Sequence, residues 1–217
     1  VDALTENWDL ILSGFGWTLR LLGASAVIAL VVGTIIAVFR VSPVPVLRSL
    51  AAVYVTLFRN SPLLVLMLIT FFGLPQIGIT FNNDIFIKTV VTMGLYTAAF
   101  VAESLRSGIN GIPLGQAEAA RSLGFGFGQT MTQVVLPQAF RNVVPPLASV
   151  LIALTKNTSI AMAFGSLELT FRSKQLLNEY ATDRIIIFIA IATCYIIIVE
   201  VISFGAAMLE RRWRAER

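Results

Sequence analysis

Thr155-Lys156-Asn157-Thr158-Ser159 places a cation, an amide and three hydroxyls in the middle of an otherwise aliphatic run. Such a group can hydrogen-bond a polar solute. In hydrocarbon a charged or amide side chain is costly unless it faces an interior or a water-filled cavity. Successive helical residues point around the wheel, so only part of the run can face one cavity. Either Lys156 or Asn157, with Ser159 and Ile160 nearby, could do so; a self-stabilised helix break or a contact between paired subunits is the alternative. A second polar group, Arg59-Asn60-Ser61-Pro62, opens another apolar run. Pro62 suits a first helical turn, and Ser61 or Asn60 could cap it. Tyr96 and Glu103 are seven apart and share one helix face. Glu103 is expected to pair with Arg106 or Arg59, and charge and depth predict an Arg59–Glu103 pair. Glu200, deep in the last apolar run, demands a partner: Lys156 is one candidate and protonation another.

Covalent chemistry finds little support. The chain has no histidine and one cysteine, Cys194, so His-based acid–base work, an internal disulfide and zinc spacing are all excluded. No GxxxxGK[ST] loop occurs. Gly124-Phe-Gly-Phe-Gly128 lacks the lysine and follows no strand, so it reads as a turn.

The elements that must hold these residues are membrane helices. The 217 residues are 57% hydrophobic and 13% charged, whereas a soluble domain is about half apolar and about a quarter charged. The formal net charge of +4 then reports loop asymmetry; the arginines are scattered and form no basic face for nucleic acid. Uncharged or nearly uncharged runs predict spans at 21–39, 60–83, about 85–106, about 143–166 and about 185–208. Gly94, Ala98 and Ala102, spaced by four, permit close helix packing. Residues 6–17 read as a short interfacial helix, with Trp8 and Trp17 at headgroup depth. The opening VDALTENWDL carries acids where a basic leader would stand and is expected not to be a signal peptide. The expected division is an N-terminal interfacial segment at 1–16, a membrane-spanning domain at 17–209 and a tail at 210–217. Within the domain, the longest loop falls at about 107–142.

Five spans put the termini on opposite sides. One side would hold Arg40, Arg48, Arg106, Arg121, Arg141, Arg211, Arg212, Arg214 and Arg217. The other would hold Lys88, Arg172, Lys174 and Arg184, beside acids that include Glu168. Nine against four predicts the first side to be cytoplasmic, with the N-terminus outside.

The loop at 107–142 then lies in the cytoplasm. Gln116 to Leu123 is alanine-rich and helix-favouring, Gly124 suits a helix end, and Glu118 can pair with Arg121. Ala120, Leu123 and Phe127 make a partial apolar stripe, and Phe125 and Phe127 are expected to anchor the helix against the spans. A helix lying on lipid should carry more large apolar residues, so a protein partner fits better.

EAARSLGFGFGQTMTQVVLPQA resembles the cytoplasmic "EAA" loop of permease subunits in ATP-binding-cassette importers. The pattern falls on Glu118, Ala119, Ala120, Gly124, Val134 or Val135, Leu136 and Pro137. YTAAFVAESLRSGINGIPLGQAEAA, RNSPLLVLM and TKNTSIA are similar to stretches of the polar amino-acid subfamily. The resemblance implies an all-α type I importer fold with five transmembrane helices and a cytoplasmic coupling helix. Glu118, Ala119, Ala120, Arg121, Leu123 and Gly124 would dock that helix on a cytoplasmic ATPase dimer. It implies no cofactor in this chain, with ATP and Mg on the ATPase, and partners that include a second permease subunit and an extracytoplasmic amino-acid-binding protein. It also implies a translocation path by Lys156, Asn157, Thr158, Ser159, Asn60, Ser61, Pro62 and Tyr96. An amide at Asn157 lacks the charge that a cationic amino acid would want, which favours glutamate or glutamine. An ion-driven transporter or channel is the rival reading and would need intramembrane acids; Glu200 is the deep one. A membrane sensor or enzyme would need a catalytic constellation or a soluble domain, and neither is found.

Overall fold

The computed structural model describes residues 2–214, with side chains from 3 to 212. Residues 215–217 of the expected tail, with Arg217, lie outside the described residues. Among the described residues every regular element is helical: α1 Asp2–Thr5, α2 Trp8–Val41, α3 Pro45–Asn60, α4 Leu63–Leu68, α5 Ile85–Asn110, α6 Leu114–Ser122, α7 Phe127–Gln129, α8 Leu136–Asn157, α9 Leu169–Glu179 and α10 Arg184–Arg214. A π turn at Thr130–Val135 joins α7 to α8, and a 3-10 turn at Thr158–Phe164 follows α8.

The order of crossings follows from which residues touch. On α2 the buried face repeats every fourth residue: Leu21, Ser25, Ala29, Gly33, Ala37. It meets α5, where Gly94, Ala98 and Ala102 are buried as their spacing predicted. A Cβ on Gly94 would stand 2.7 Å from Ile28 Cβ, and one on Gly33 would stand 2.8 Å from the Ala98 carbonyl. Further along, Arg40 reaches Glu103 at 3.5 Å. Position numbers rise together on both helices, so α2 and α5 are parallel and the chain must recross between them. That crossing is a bent pair, Pro45–Asn60 with Leu63–Ile77, turned by 101° at Ser61-Pro62. α5 and α8 are antiparallel: Gly108 meets Val143, while Thr97 lies level with Leu154 and Asn157. α9 closes the end of the bundle where α2 starts; Leu169 N–H donates to Thr18 Oγ1 at 3.1 Å. α10 then crosses back. Among the described residues four helices are long and apolar enough to span a membrane, and the bent pair, taken as one span, makes five.

Outward faces are aliphatic. Val27, Val31, Ile35 and Val38 form an exposed stripe on α2, and Ile185, Ile189, Ile196, Val201 and Phe204 do so on α10. In water such surfaces would be a liability; against lipid tails they are the ordinary solution.

Several boundaries differ from the sequence reading. The expected interfacial helix at 6–17 is no separate element; its residues from Trp8 onward are the first turns of α2. Trp17 packs edge-on against Phe86 with ring centroids 5.7 Å apart. The span expected at 60–83 begins at Leu63, and α3, too polar to register as a span, precedes it. The fourth span starts at Phe127 and ends at Phe164, so the loop expected at 107–142 shrinks to the residues between Asn110 and Phe127. Lys88, assigned to an outer surface, is buried: Nζ donates to Asn83 Oδ1 at 3.1 Å and lies 5.4 Å over the Phe71 ring.

Glu168, read as an exposed acid, is fully buried as the N-cap of α9. It accepts from Thr170 N–H and Phe171 N–H, each at 2.8 Å, and from the Tyr195 hydroxyl at 2.7 Å. Burial pushes its carboxyl up and these donors pull against it, with burial the larger effect. Glu168→Ala would strand two backbone donors and leave the Tyr195 hydroxyl with Thr170 Oγ1, at 3.0 Å. We expect it to lower stability by about 2 kcal/mol, read as a fall in the thermal unfolding midpoint in detergent. An unchanged midpoint would show that the cap is not needed.

Candidate functional site

α6 forms because alanines and glutamine favour helix and Pro113, its N-cap, sets the entry. It ends at Gly124, whose φ of +86° lies in the left-handed region that suits glycine. Phe125 N–H then donates to the Ala120 carbonyl at 3.1 Å, and Gly124 N–H to the Arg121 carbonyl at 3.0 Å. These two bonds make a Schellman motif, which satisfies the last carbonyls and stops the helix. α6 lies beyond the end of α5 that carries Arg106, so it shares the arginine-bearing end of the bundle with Arg40.

Only Ala120 of this helix is buried. Gln116, Glu118, Ala119, Arg121, Ser122, Leu123 and Gly124 are exposed. Glu118 and Arg121 form no ion pair among the described residues; at a spacing of three both point to solvent, where pairing gains little. Phe125 is half-buried, but Phe127 is 81% exposed and anchors nothing. Leu114 and Leu123 are exposed to a similar degree, at 80% and 79%. This polar helix rests on the π turn at Thr130–Val135, and among the described residues nothing covers the large apolar residues at its ends.

The polar residues at depth separate into two cavities. A 350 Å3 space between α5 and α8 is lined by Tyr96, Thr97, Phe100, Ser149, Ala153 and Asn157, among others. A 330 Å3 space between α3 and α5 is lined by Arg40, Thr56, Arg59, Asn60, Phe100 and Glu103. Phe100 belongs to both, and Tyr96, Phe100 and Glu103 follow one another along a single face of α5. Asn157 and Tyr96, both expected on a substrate path, thus meet in the first cavity, and Asn60 opens on the second.

The other expected path residues go elsewhere. Thr158 is buried, and its Oγ1 donates to the Thr155 carbonyl at 2.6 Å. Ser159 Oγ donates to the Lys156 carbonyl at 2.7 Å. These bonds terminate α8 and start the 3-10 turn, which is the helix-break alternative. Lys156 is exposed, outside both cavities, and does not pair with Glu200, itself exposed on α10. The two sit on outward faces of different helices. Ser61 does not cap α4: it is the C-cap of α3, and its Oγ donates back to the Leu57 carbonyl at 2.8 Å. Pro62 stands one place before the first turn, as the N-cap of α4.

The Arg59–Glu103 pair is not formed. Glu103 is taken by Arg106, which binds both its oxygens, and by Arg40 at 3.5 Å. A partner three residues along the same helix is always within reach, and Arg40 is brought by the parallel packing of α2. Arg59 lies over the Phe100 ring, 5.6 Å from its centroid.

Thr97, Ser149 and Phe100 were absent from the sequence reading. Ser149, Ala153 and Asn157 are spaced by four, and Thr97 and Phe100 flank Tyr96 by one and four, so helical spacing from the two recognised residues would have found them. Thr97 Oγ1 is buried and has no hydrogen-bond partner among the described residues.

Comparison with known proteins agrees with this arrangement. Residues 29–215 match the family described as binding-protein-dependent transport system inner membrane component. The chain is 41% identical over 214 residues to the glutamate transport system permease protein GluC of Corynebacterium glutamicum, with 93% of each chain covered. It is 35% identical over 216 residues to the probable glutamine ABC transporter permease protein GlnM of Bacillus subtilis, covering 98% of this chain and 97% of that one. Its fold superposes with a TM-score of 0.88 on a crystal structure of an amino acid ABC transporter with histidines, at 32% identity, covering 98% of this chain and 99% of that one. With a family match over residues 29–215 and relatives alike over nearly their whole length, the chain belongs to the binding-protein-dependent transport system inner membrane components, the permease subunits of ABC importers.

Proposed function

We propose that this permease imports a polar amino acid, glutamate or glutamine, by alternating access. α6 docks on a cytoplasmic ATPase dimer that carries ATP and Mg, and closure of that dimer moves α6 and rocks the spans. A second permease subunit, the same chain or a related one, completes the aqueous path. An extracytoplasmic binding protein delivers the substrate to the opposite face. The arginine-bearing end is cytoplasmic, with the N-terminus outside.

The observation that carries the mechanical part is α6 itself: a nine-residue helix that buries one alanine and exposes Leu123 at its tip. Nine residues are too few for a helix to persist in water on propensity alone. The substrate class is supported by the first cavity, whose polar groups are an amide and hydroxyls with no carboxylate. The two relatives described above are named for glutamate and glutamine, and a third, from Bacillus subtilis at 35% identity, is named for arginine.

The test is ATP-dependent uptake of labelled glutamate by the reconstituted importer, challenged with each polar amino acid in turn. Displacement by glutamine or aspartate and not by arginine supports the reading; displacement by arginine alone contradicts it. Asn157→Asp adds a carboxylate to the cavity. Cationic amino acids should then compete about tenfold better and glutamate about tenfold worse, the effect of roughly 1.4 kcal/mol. An unaltered competition profile would remove Asn157 from the path.

A further inference from the structure

We propose that Arg59 is a substrate-binding residue: its guanidinium takes a carboxylate of the amino acid in transit. The proposal rests on the amino-acid permease reading above and names the group that holds the anion.

The residue expected to neutralise Arg59 is already occupied. Glu103 is bound through both oxygens by Arg106 and approached by Arg40 at 3.5 Å. Arg59 makes no ion pair and no hydrogen bond among the described residues; it lies over the Phe100 ring, 5.6 Å from its centroid, and feels Glu103 only through the longer-range field. An arginine at membrane depth is costly unless it faces an aqueous or protein-lined space. Here Arg59 lines the 330 Å3 cavity, together with Arg40 and Glu103. That cavity has two guanidinium groups in its wall, Arg40 and Arg59, against the single carboxylate of Glu103. It therefore carries an uncompensated positive charge.

The geometry suits a carboxylate. A guanidinium resting on an aromatic face is held in plane while its N–H edge stays free, and that edge binds carboxylate through two parallel hydrogen bonds. The Phe100 ring that seats Arg59 also walls the 350 Å3 cavity. One molecule lying past Phe100 would meet Arg59 with its carboxylate. Its remaining polar groups would meet the Asn157 amide.

Binding is measured on the solubilised permease–ATPase complex without its binding protein, so that the latter's selectivity does not enter. Labelled glutamate and glutamine are first tested on the wild type. If neither binds there, the proposed substrate is wrong, and whichever amino acid the wild type takes becomes the probe for Arg59. Arg59→Gln should raise the dissociation constant ten- to a hundredfold, and the KM of uptake with it. Arg59→Lys, which keeps the charge but loses the paired geometry, should recover part of that loss. Equal weakening for glutamate and glutamine assigns the α-carboxylate; weakening for glutamate alone assigns the side-chain carboxylate. Unchanged affinity in Arg59→Gln overturns the proposal. So does a loss confined to kcat that Arg59→Lys does not relieve, because that would mark a structural role. Should Arg59→Gln fail to assemble, the wild type still decides: glutamate dimethyl ester, with both carboxylates masked, should not displace the label, and displacement would overturn the proposal.

Discussion

Gly124→Val should reduce ATP-driven uptake at least tenfold while the membrane bundle stays folded. The left-handed φ of +86° costs a residue with a Cβ about 1–2 kcal/mol, and more for a branched one. Nothing lies within 4 Å of where that Cβ would stand, so the variant acts through backbone strain and not through collision. Relief of the strain breaks the two bonds that end α6. With Ala120 its one buried residue, the helix has little packing to hold it in place. It frays, and Leu123 is no longer presented to a partner. The two measurements are uptake into proteoliposomes and the thermal midpoint of the purified chain, which should stay near wild type. Full uptake in Gly124→Val would mean that the shape of α6 does not matter to transport.

Gly33→Leu should do the reverse and damage the bundle itself. A Cβ at Gly33 would meet Val101 Cβ and Cγ1 at 2.7 Å and the Ala98 carbonyl at 2.8 Å. A backbone oxygen on a packed helix cannot rotate away, so α2 and α5 must separate along their longest contact. Overpacking of this kind costs about 3 kcal/mol, and in a membrane no hydrophobic drive compensates for lost helix contact. The expected result is aggregated protein, or a sharply lowered unfolding midpoint. Gly23→Leu is the control: nothing lies within 4 Å of its Cβ position, and its cost should stay within about 0.5 kcal/mol. Equal behaviour of the two variants would contradict the close approach of α2 and α5.

These two glycines mark what could be read from the sequence. Gly124 was legible because a helix-favouring stretch followed by glycine is a local signal, and the small-residue repeat on α5 was legible by spacing. The second crossing was legible only in its second limb, since Leu63–Ile77 falls inside the expected 60–83 and the first limb does not. Pro45–Asn60 carries Arg48 and Arg59 and is too polar to register as apolar, and a 101° bend at Ser61-Pro62 is invisible to a count of hydrophobic residues. The fourth span hid its first turns for the same reason, since Gln129, Thr130, Gln133 and Gln138 dilute the run from Phe127. Charge partners were the least legible. Arg59 and Glu103 were matched by sign and depth, but Arg106 lies on the same helix as Glu103, and Arg40 arrives because α2 and α5 are parallel. That direction is fixed only once the bent pair is counted as a crossing. The burial of Glu168 depends likewise on Tyr195, a neighbour distant in the chain.

The mechanical role of α6 can be tested by photo-crosslinking. A photoreactive amino acid at Leu123, in the assembled importer in membranes, should form an adduct with the ATP-hydrolysing subunit, and ATP should change its yield. Adducts with lipid alone, with none to that subunit in any nucleotide state, would show that α6 lies on the bilayer and does not couple the chain to ATP.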